Sequence, residues 1–213
     1  DGDNKNQYYE NVDKLGAQMD QNQGNYELLP LTRTKEIFKG RTKEGLFEIP
    51  QNVNYGESFG WSAFSDNVLY APYKNHVILN SYMSYLPAFM EKVFPKEVAD
   101  NRKSVWYVED YLYTGGDKFM MLKFANVYAN DQAEDVNPDD NQTVFRLPDV
   151  YLLHAEALAE LGKDAEARAK VNLVRTRAGA PNLTSSGQDL KNDIFFERCR
   201  EFMGEAHYWY DVV

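Results

Sequence analysis

Residues 147–179 read LPDVYLLHAEALAELGKDAEARAKVNLVRTRAG, and the fold class turns on this stretch. Pro148 has a fixed φ and no N–H, which suits the first turn of a helix. From there Asp149, Glu156 and Glu160 share one stripe and nearly every other position is apolar. That spacing predicts a helix buried around most of its circumference. Gly162 is placed to end it and Asp164 to cap a second helix. In the second helix Ala167, Val171, Val174 and Ala178 form a narrow face of small residues, which lets a neighbour approach closely. Gly179 stops it, and Pro181 prevents it from restarting. Two helices on so short a connection must run antiparallel. Ala155, Leu158, Gly162, Ala167 and Val171 also fit the spacing of a tetratricopeptide unit, although Gly179 stands where that repeat usually has Pro. The expected class is mainly α: tetratricopeptide-like helical hairpins with a loop-rich region and a small β-hairpin.

Working outward, the chain divides into three stretches. Residues 146–213 hold this helical hairpin and a final helix, LKNDIFFERCREFMGEAHYWYDVV, with Phe195, Cys199, Phe202 and Ala206 on one face. Residues 46–145 are rich in Asn, Gly, Tyr and Phe and read as a loop-rich, ligand-facing region. Within them Val77 to Phe94 is a helix candidate interrupted at Pro87. SVWYVEDYLYTGGDKFMMLKF is a hairpin candidate, with Gly115 and Gly116 between two β-prone runs. Residues 1–45 read as a helical-repeat remnant. Tyr8, Tyr9, Val12, Leu15 and Met19 recur at helical spacing, and TRTKEIFKG reads as a short helix. The opening helix has an apolar stripe but no upstream partner, so the chain is expected to start partway through a domain.

Composition narrows the function. Of 213 residues, 23 are Lys or Arg and 33 are Asp or Glu, for a net charge of −10. The basic residues do not cluster, so a nucleic-acid backbone would be repelled and no such partner is expected. Aromatics make up 14%, with 15 Tyr, 12 Phe and 3 Trp, which fits either an aromatic core or a surface that stacks on ring-shaped ligands. The single Cys199 excludes an intrachain disulfide and a multi-cysteine metal site. No apolar run approaches the roughly 20 residues of a membrane span.

The chemical motifs are weak. NYGESFGW, residues 54–61, has the G-x-S-x-G spacing of a nucleophile elbow at Ser58. An elbow needs a buried strand before it and a helix after it. IPQNVNY precedes it and WSAFSDN follows, and neither qualifies. Gly56 and Gly60 more simply let a loop turn between Tyr55, Phe59 and Trp61. The acidic loop after Asn130 fails calcium-loop geometry at Asp140 and Arg146, where Gly and Glu are required. Three scattered His residues make no metal site. Glu197, Glu201 and Glu205 lie at i, i+4, i+8, but Arg198 and Arg200 stand beside them. An ion-pair network is expected rather than paired glycosidase carboxylates. No catalytic residue, metal or cofactor is expected.

The C-terminal third resembles the SusD/RagB family of nutrient-binding outer-membrane lipoproteins. The resemblance rests on FRLPDVYLLHAEALAELG, VNLVRTRAG and ERCREFMGEAHYWYDVV. Within these, Arg146, Ala155, Glu156, Ala157, Asn172, Arg175, Arg177, Ala178 and Gly179 match the family pattern. So do Glu197, Arg198, Glu201, Glu205, His207, Trp209 and Asp211. Ala206 replaces the usual Gly and Tyr208 the usual Arg. EGLFEIP, Asp100 to Arg102, and Lys123 sit in family order upstream. The resemblance implies a chain more than twice this length, with a lipid anchor on an N-terminal half that these residues do not include. It implies binding without catalysis: oligosaccharides, or in some branches peptides, captured on the bacterial outer-membrane surface (the family is one of Bacteroidetes) for a SusC-type TonB-dependent transporter. Membrane attachment would come only through that anchor. Family ligand contacts lie on variable loops, which here points to Trp61 first, then Tyr55, Phe59, Tyr70 and Tyr73, with Asn54 and Asp66 as polar partners and Trp106 as a further candidate. A peptide-binding or protein-only helical-repeat subunit is the alternative, and a serine or glycoside hydrolase ranks below both.

Overall fold

The computed structural model describes residues 4–21, 24–50, 85–115, 121, 123 and 141–212. The chain forms two compact units, one of residues 1–28 with 146–213 and the other of residues 29–145.

The first unit holds α1 (Lys5–Gln21), α5 (Leu147–Glu160), α6 (Asp164–Arg177), α7 (Gly187–Phe202) and α8 (Tyr208–Val212). Its fold follows the helical-hairpin pattern of residues 147–179. Leu152, Ala155, Leu158 and Ala159 of α5 meet Ala167, Val171 and Val174 of α6 and Leu190, Ile194 and Phe202 of α7 in one apolar core. Small side chains at 155, 159 and 167 let the helix backbones come close together. Both helices of the hairpin end in the same way. The N–H of Lys163 donates to the Leu158 carbonyl and that of Gly162 to Ala159. Likewise Ala180 donates to Arg175 and Gly179 to Thr176. These are paired Schellman bonds, and the glycines supply the left-handed residue at φ 75° and 65°.

Three expectations are corrected here. Asp164 does not cap α6; the cap position is Lys163, and the Asp164 carboxylate accepts instead from the Gly187 N–H at 2.7 Å. Asp149 is buried rather than on the wet stripe, which consists of Leu153, Glu156 and Glu160, because it pairs with Arg198 on α7. The final helix is also broken. α7 ends at Phe202, and a turn with left-handed Gly204 (φ 84°) and Ala206 (φ 63°) precedes α8. Ala206 is therefore exposed, while Phe195 lies half-buried 6.3 Å from the Tyr208 ring. The buried face of α7 is Leu190, Ile194, Glu197, Arg198, Cys199, Glu201 and Phe202.

The second unit holds a 3-10 turn at Leu31–Arg33, then α2 (Thr34–Lys39), β1 (Gly45–Ile49), α3 (Pro87–Val93), α4 (Arg102–Val105) and most of β2 (Gln142–Arg146). β1 and β2 pair in a two-stranded antiparallel sheet. Pro87 sits at the start of α3, where its missing N–H costs nothing. The expected hairpin around Gly115 is reduced, among the described residues, to an antiparallel bridge between Tyr107 and Met121. Glu109–Tyr111, placed in its first strand by β propensity, form a 3-10 turn. Buried tertiary contacts of Trp106, Tyr107 and Leu112 override that propensity.

Ala206 carries a conformation that costs an L-residue about 1–2 kcal/mol. Ala206→Gly removes that cost but adds unfolded-state freedom. A net stabilisation of about 0.5–1 kcal/mol is expected, read as a higher midpoint in a denaturant melt followed by circular dichroism.

Candidate functional site

Of the residues singled out as ligand contacts, Asn54, Tyr55, Phe59, Trp61, Asp66, Tyr70 and Tyr73 lie outside the described residues, as does Ser58. Trp106 is described, and it is not a ligand platform. It is fully buried, and its indole N–H donates to Thr34 Oγ1 at 2.9 Å. The Lys123 ammonium lies 4.4 Å from its ring centroid and the Arg102 guanidinium 5.9 Å. Those cations occupy positions that a stacking sugar would need.

The same core explains the upstream motif residues. The Arg102 guanidinium donates to both Asp100 carboxylate oxygens at 2.9 and 2.7 Å, and its backbone N–H also reaches Asp100. Lys103 donates to the carbonyls of Pro95, Lys96 and Val98 at 2.8, 3.2 and 2.7 Å, so it fastens the loop after α3. Glu44 is buried and accepts the Leu29 N–H at 2.8 Å.

The most concentrated chemistry in the first unit is a buried charge network. Arg146 caps α5 with an extended backbone, which aims its side chain at the end of α7. Its guanidinium donates to Glu201 Oε1 at 2.5 Å, to the Glu201 carbonyl at 2.8 Å, and to both Glu205 oxygens at 2.8 and 2.7 Å. Arg177, in the last turn of α6, also donates to Glu201. Arg175 bonds Glu197 and the Pro181 carbonyl, both at 2.7 Å, and Arg200 meets Glu197 at 3.1 Å. Arg198 bridges Asp149 at 2.9 Å and Asp211 at 2.8 Å. Under these groups lies Phe202, with His207 stacked at 4.5 Å and the Arg146 and Arg198 guanidiniums at 4.9 and 5.3 Å.

The ion-pair reading of the glutamates holds; of the two arginines expected beside them, Arg200 does meet Glu197, but Arg198 does not pair with them. Arg198 serves Asp149 and Asp211, while Arg146, Arg175 and Arg177 come from the helical hairpin. Among the described residues, five guanidiniums face five carboxylates, and such a cluster orients helices. Cys199, next to it, has its thiol pushed up to about 11, chiefly by burial, and is a poor nucleophile at neutral pH. No group of His, Cys, Asp and Glu suited to a metal ion occurs among the described residues.

The residues of this network belong to the stretch that a family model describes. The model of the SusD family matches residues 98–213. This chain belongs to the SusD family. A SusD-like protein of Formosa agariphila is 35% identical over 125 residues, covering 56% of this chain and 23% of that protein. Among solved structures, a SusD homologue of Bacteroides thetaiotaomicron superposes with a TM-score of 0.84 at 39% identity. It covers 98% of this chain, which spans 45% of that homologue. A SusD-like carbohydrate-binding protein of Bacteroides vulgatus has a TM-score of 0.65 at 19% identity, over 97% of this chain and 41% of its own, and shares the fold. Of the residues that carry the SusD-family pattern, Arg146, Arg175, Arg177, Glu197, Arg198, Glu201, Glu205 and Asp211 are partners in one buried network. Asn172 has a separate role, accepting the Leu183 N–H at 2.8 Å and fixing the turn after α6.

Removing one member of a buried ion network strands the others. Glu201→Ala leaves Arg146 and Arg177 short of a carboxylate and should destabilise the chain by about 3–5 kcal/mol. Glu36→Ala, which breaks the exposed, solvent-screened pair with Arg33, should leave the melt nearly unchanged. Parallel urea melts of the two variants check the contrast.

Proposed function

We propose that this chain is part of a cell-surface glycan-binding subunit that captures oligosaccharides for import through a SusC-type TonB-dependent transporter. Membership of the SusD family carries the reading, and the carbohydrate-binding relative of the same fold supports the ligand class. The charge network adds a physical reason. The family-pattern residues that are buried are engaged in holding helices, so ligand contact falls to other segments. The segment put forward is 54–73, with Trp61 as the main stacking platform, Tyr55, Phe59, Tyr70 and Tyr73 as further aromatic contacts, and Asn54 and Asp66 bonding hydroxyls. Aromatic faces bind the apolar C–H faces of sugar rings, while amides and carboxylates take the polar edges. The subunit acts by binding and not by turnover. It stands on the extracellular face of the outer membrane, held by a lipid anchor outside these residues. No helix among the described residues is long and apolar enough to cross a membrane.

Native electrophoresis in gels cast with plant, host and microbial polysaccharides tests this. One polymer class should retard the chain, and Trp61→Ala should abolish the retardation while leaving the helical circular dichroism unchanged. Retardation that survives Trp61→Ala would refute the assigned platform. Absence of retardation by every polymer would favour a peptide ligand or a protein-only role.

A further inference from the structure

Glu48, next to last in β1, gathers three stretches of the second unit. Its half-buried carboxylate accepts the Arg41 N–H on both oxygens, at 3.0 and 2.7 Å, and the Asn141 side-chain amide at 2.7 Å. Glycines make room for it. A Cβ on Gly45 would collide with Glu48 Oε1, and one on Gly40 would stand 2.7 Å from Glu48 Oε2 and 2.6 Å from Asn141 Cβ. The backbone N–H of Asn141 donates to the Lys39 carbonyl at 3.0 Å, and the Thr143 hydroxyl donates to the Ile37 carbonyl at 3.2 Å. The end of α2, the turn into β1 and the start of β2 therefore meet at one carboxylate.

Two local rules are broken around this side chain. Arg41 sits at φ 61°, a left-handed conformation that L-residues rarely adopt, and the Glu48 bonds to its N–H hold it there. Asn141 Oδ1 is buried without a hydrogen-bond partner among the described residues. A carboxylate only accepts, so bonding Glu48 obliges the amide to turn its NH2 that way and leaves its carbonyl oxygen without a donor. Departures of this kind collect where function demands a particular geometry.

The place in the chain supplies the function. Past Pro50 the chain enters residues 51–84, which contain every ligand contact put forward above. Where it returns, Pro87 opens α3 with Gly115 so close that a Cβ there would lie 3.2 Å from the proline ring. Entry and exit of the stretch are thus both tied to the framework of the second unit.

We propose that Glu48 is a positioning residue for the glycan site: through Arg41 and Asn141 it fixes how the chain leaves β1, and thereby where Trp61 stands. This rests on the assignment of Trp61 as the stacking platform.

Fluorine NMR of the whole chain labelled with fluorotryptophan tests the role without a ligand. The 3 Trp give one resonance each, and Trp61→Phe assigns the one that matters. Glu48→Ala, and Gly45→Ala, which displaces the carboxylate, should both move the Trp61 resonance and leave those of Trp106 and Trp209 in place. Glu48→Gln should keep it near the native position. There the Asn141 amide can turn over and offer Oδ1 to the new NH2, while the Arg41 N–H keeps an acceptor. In the polysaccharide gels both Ala variants should bind about tenfold more weakly, the scale of lost preorganisation, and Glu48→Gln near normally. A Trp61 resonance that ignores Glu48→Ala overturns the proposal. So does one that moves only together with Trp106 and Trp209, which marks a general loss of fold. Native binding by Glu48→Ala beside lost binding by Trp61→Ala would sink the positioning role and leave the platform standing. If the native chain binds no polymer, the glycan reading fails and the fluorine result still decides the role of Glu48.

Discussion

Arg146 sets the terms for the first unit. A guanidinium cannot lose its proton, so burying it to 1% exposure demands anionic and carbonyl acceptors on every side. Glu201 and Glu205 supply them, and they can do so only if the end of α7 lies against the start of α5. Once Glu201 is there, Arg177 must reach it from the end of α6. The three helices are thus pinned at one end by charge and zipped along their length by small apolar side chains. Ion pairs of this kind rarely add much net stability over an apolar core. Their effect is on register, since a helix shifted by one residue would leave buried charges unmatched.

That constraint also separates framework from ligand chemistry in this SusD-family chain. A polar residue that recurs in a motif invites a catalytic interpretation, and Glu197, Glu201 and Glu205 could be mistaken for hydrolase carboxylates. Their geometry argues otherwise, because each is held by arginines inside the unit. The second unit repeats the lesson with Asp100 and Arg102, with Lys103 in its ring of carbonyls, and with Lys123 over Trp106. A tryptophan on an expected hairpin looks like a platform, but a buried cation above its face and Thr34 at its N–H make it a core residue.

Much of the helical hairpin was legible because its signals are local. The 3.6-residue period of α5, the small-residue face of α6 and the glycines at 162 and 179 each act through neighbouring backbone alone. The break between α7 and α8 was hidden because apolar residues continue through it at helical spacing. Only the backbone at Gly204 and Ala206 shows the turn. Asp149 was misplaced for a related reason: on its own helix it belongs to a polar stripe, and its burial depends on Arg198, which is distant in sequence.

The sequence by itself determined the helical class, the two-helix repeat with its stops, the absence of a disulfide within these residues, and the family resemblance through ordered motifs. These depend on the periodicity of the backbone and on residue identity, and both are properties of short stretches. Tertiary structure alone decided which arginine meets which carboxylate, that Trp106 is core, and that Gly16 of α1 lies against His154 of α5. Those outcomes depend on burial and on partners brought together from far along the chain. The free energy of a polar or aromatic group is set by its surroundings, which a linear pattern does not specify.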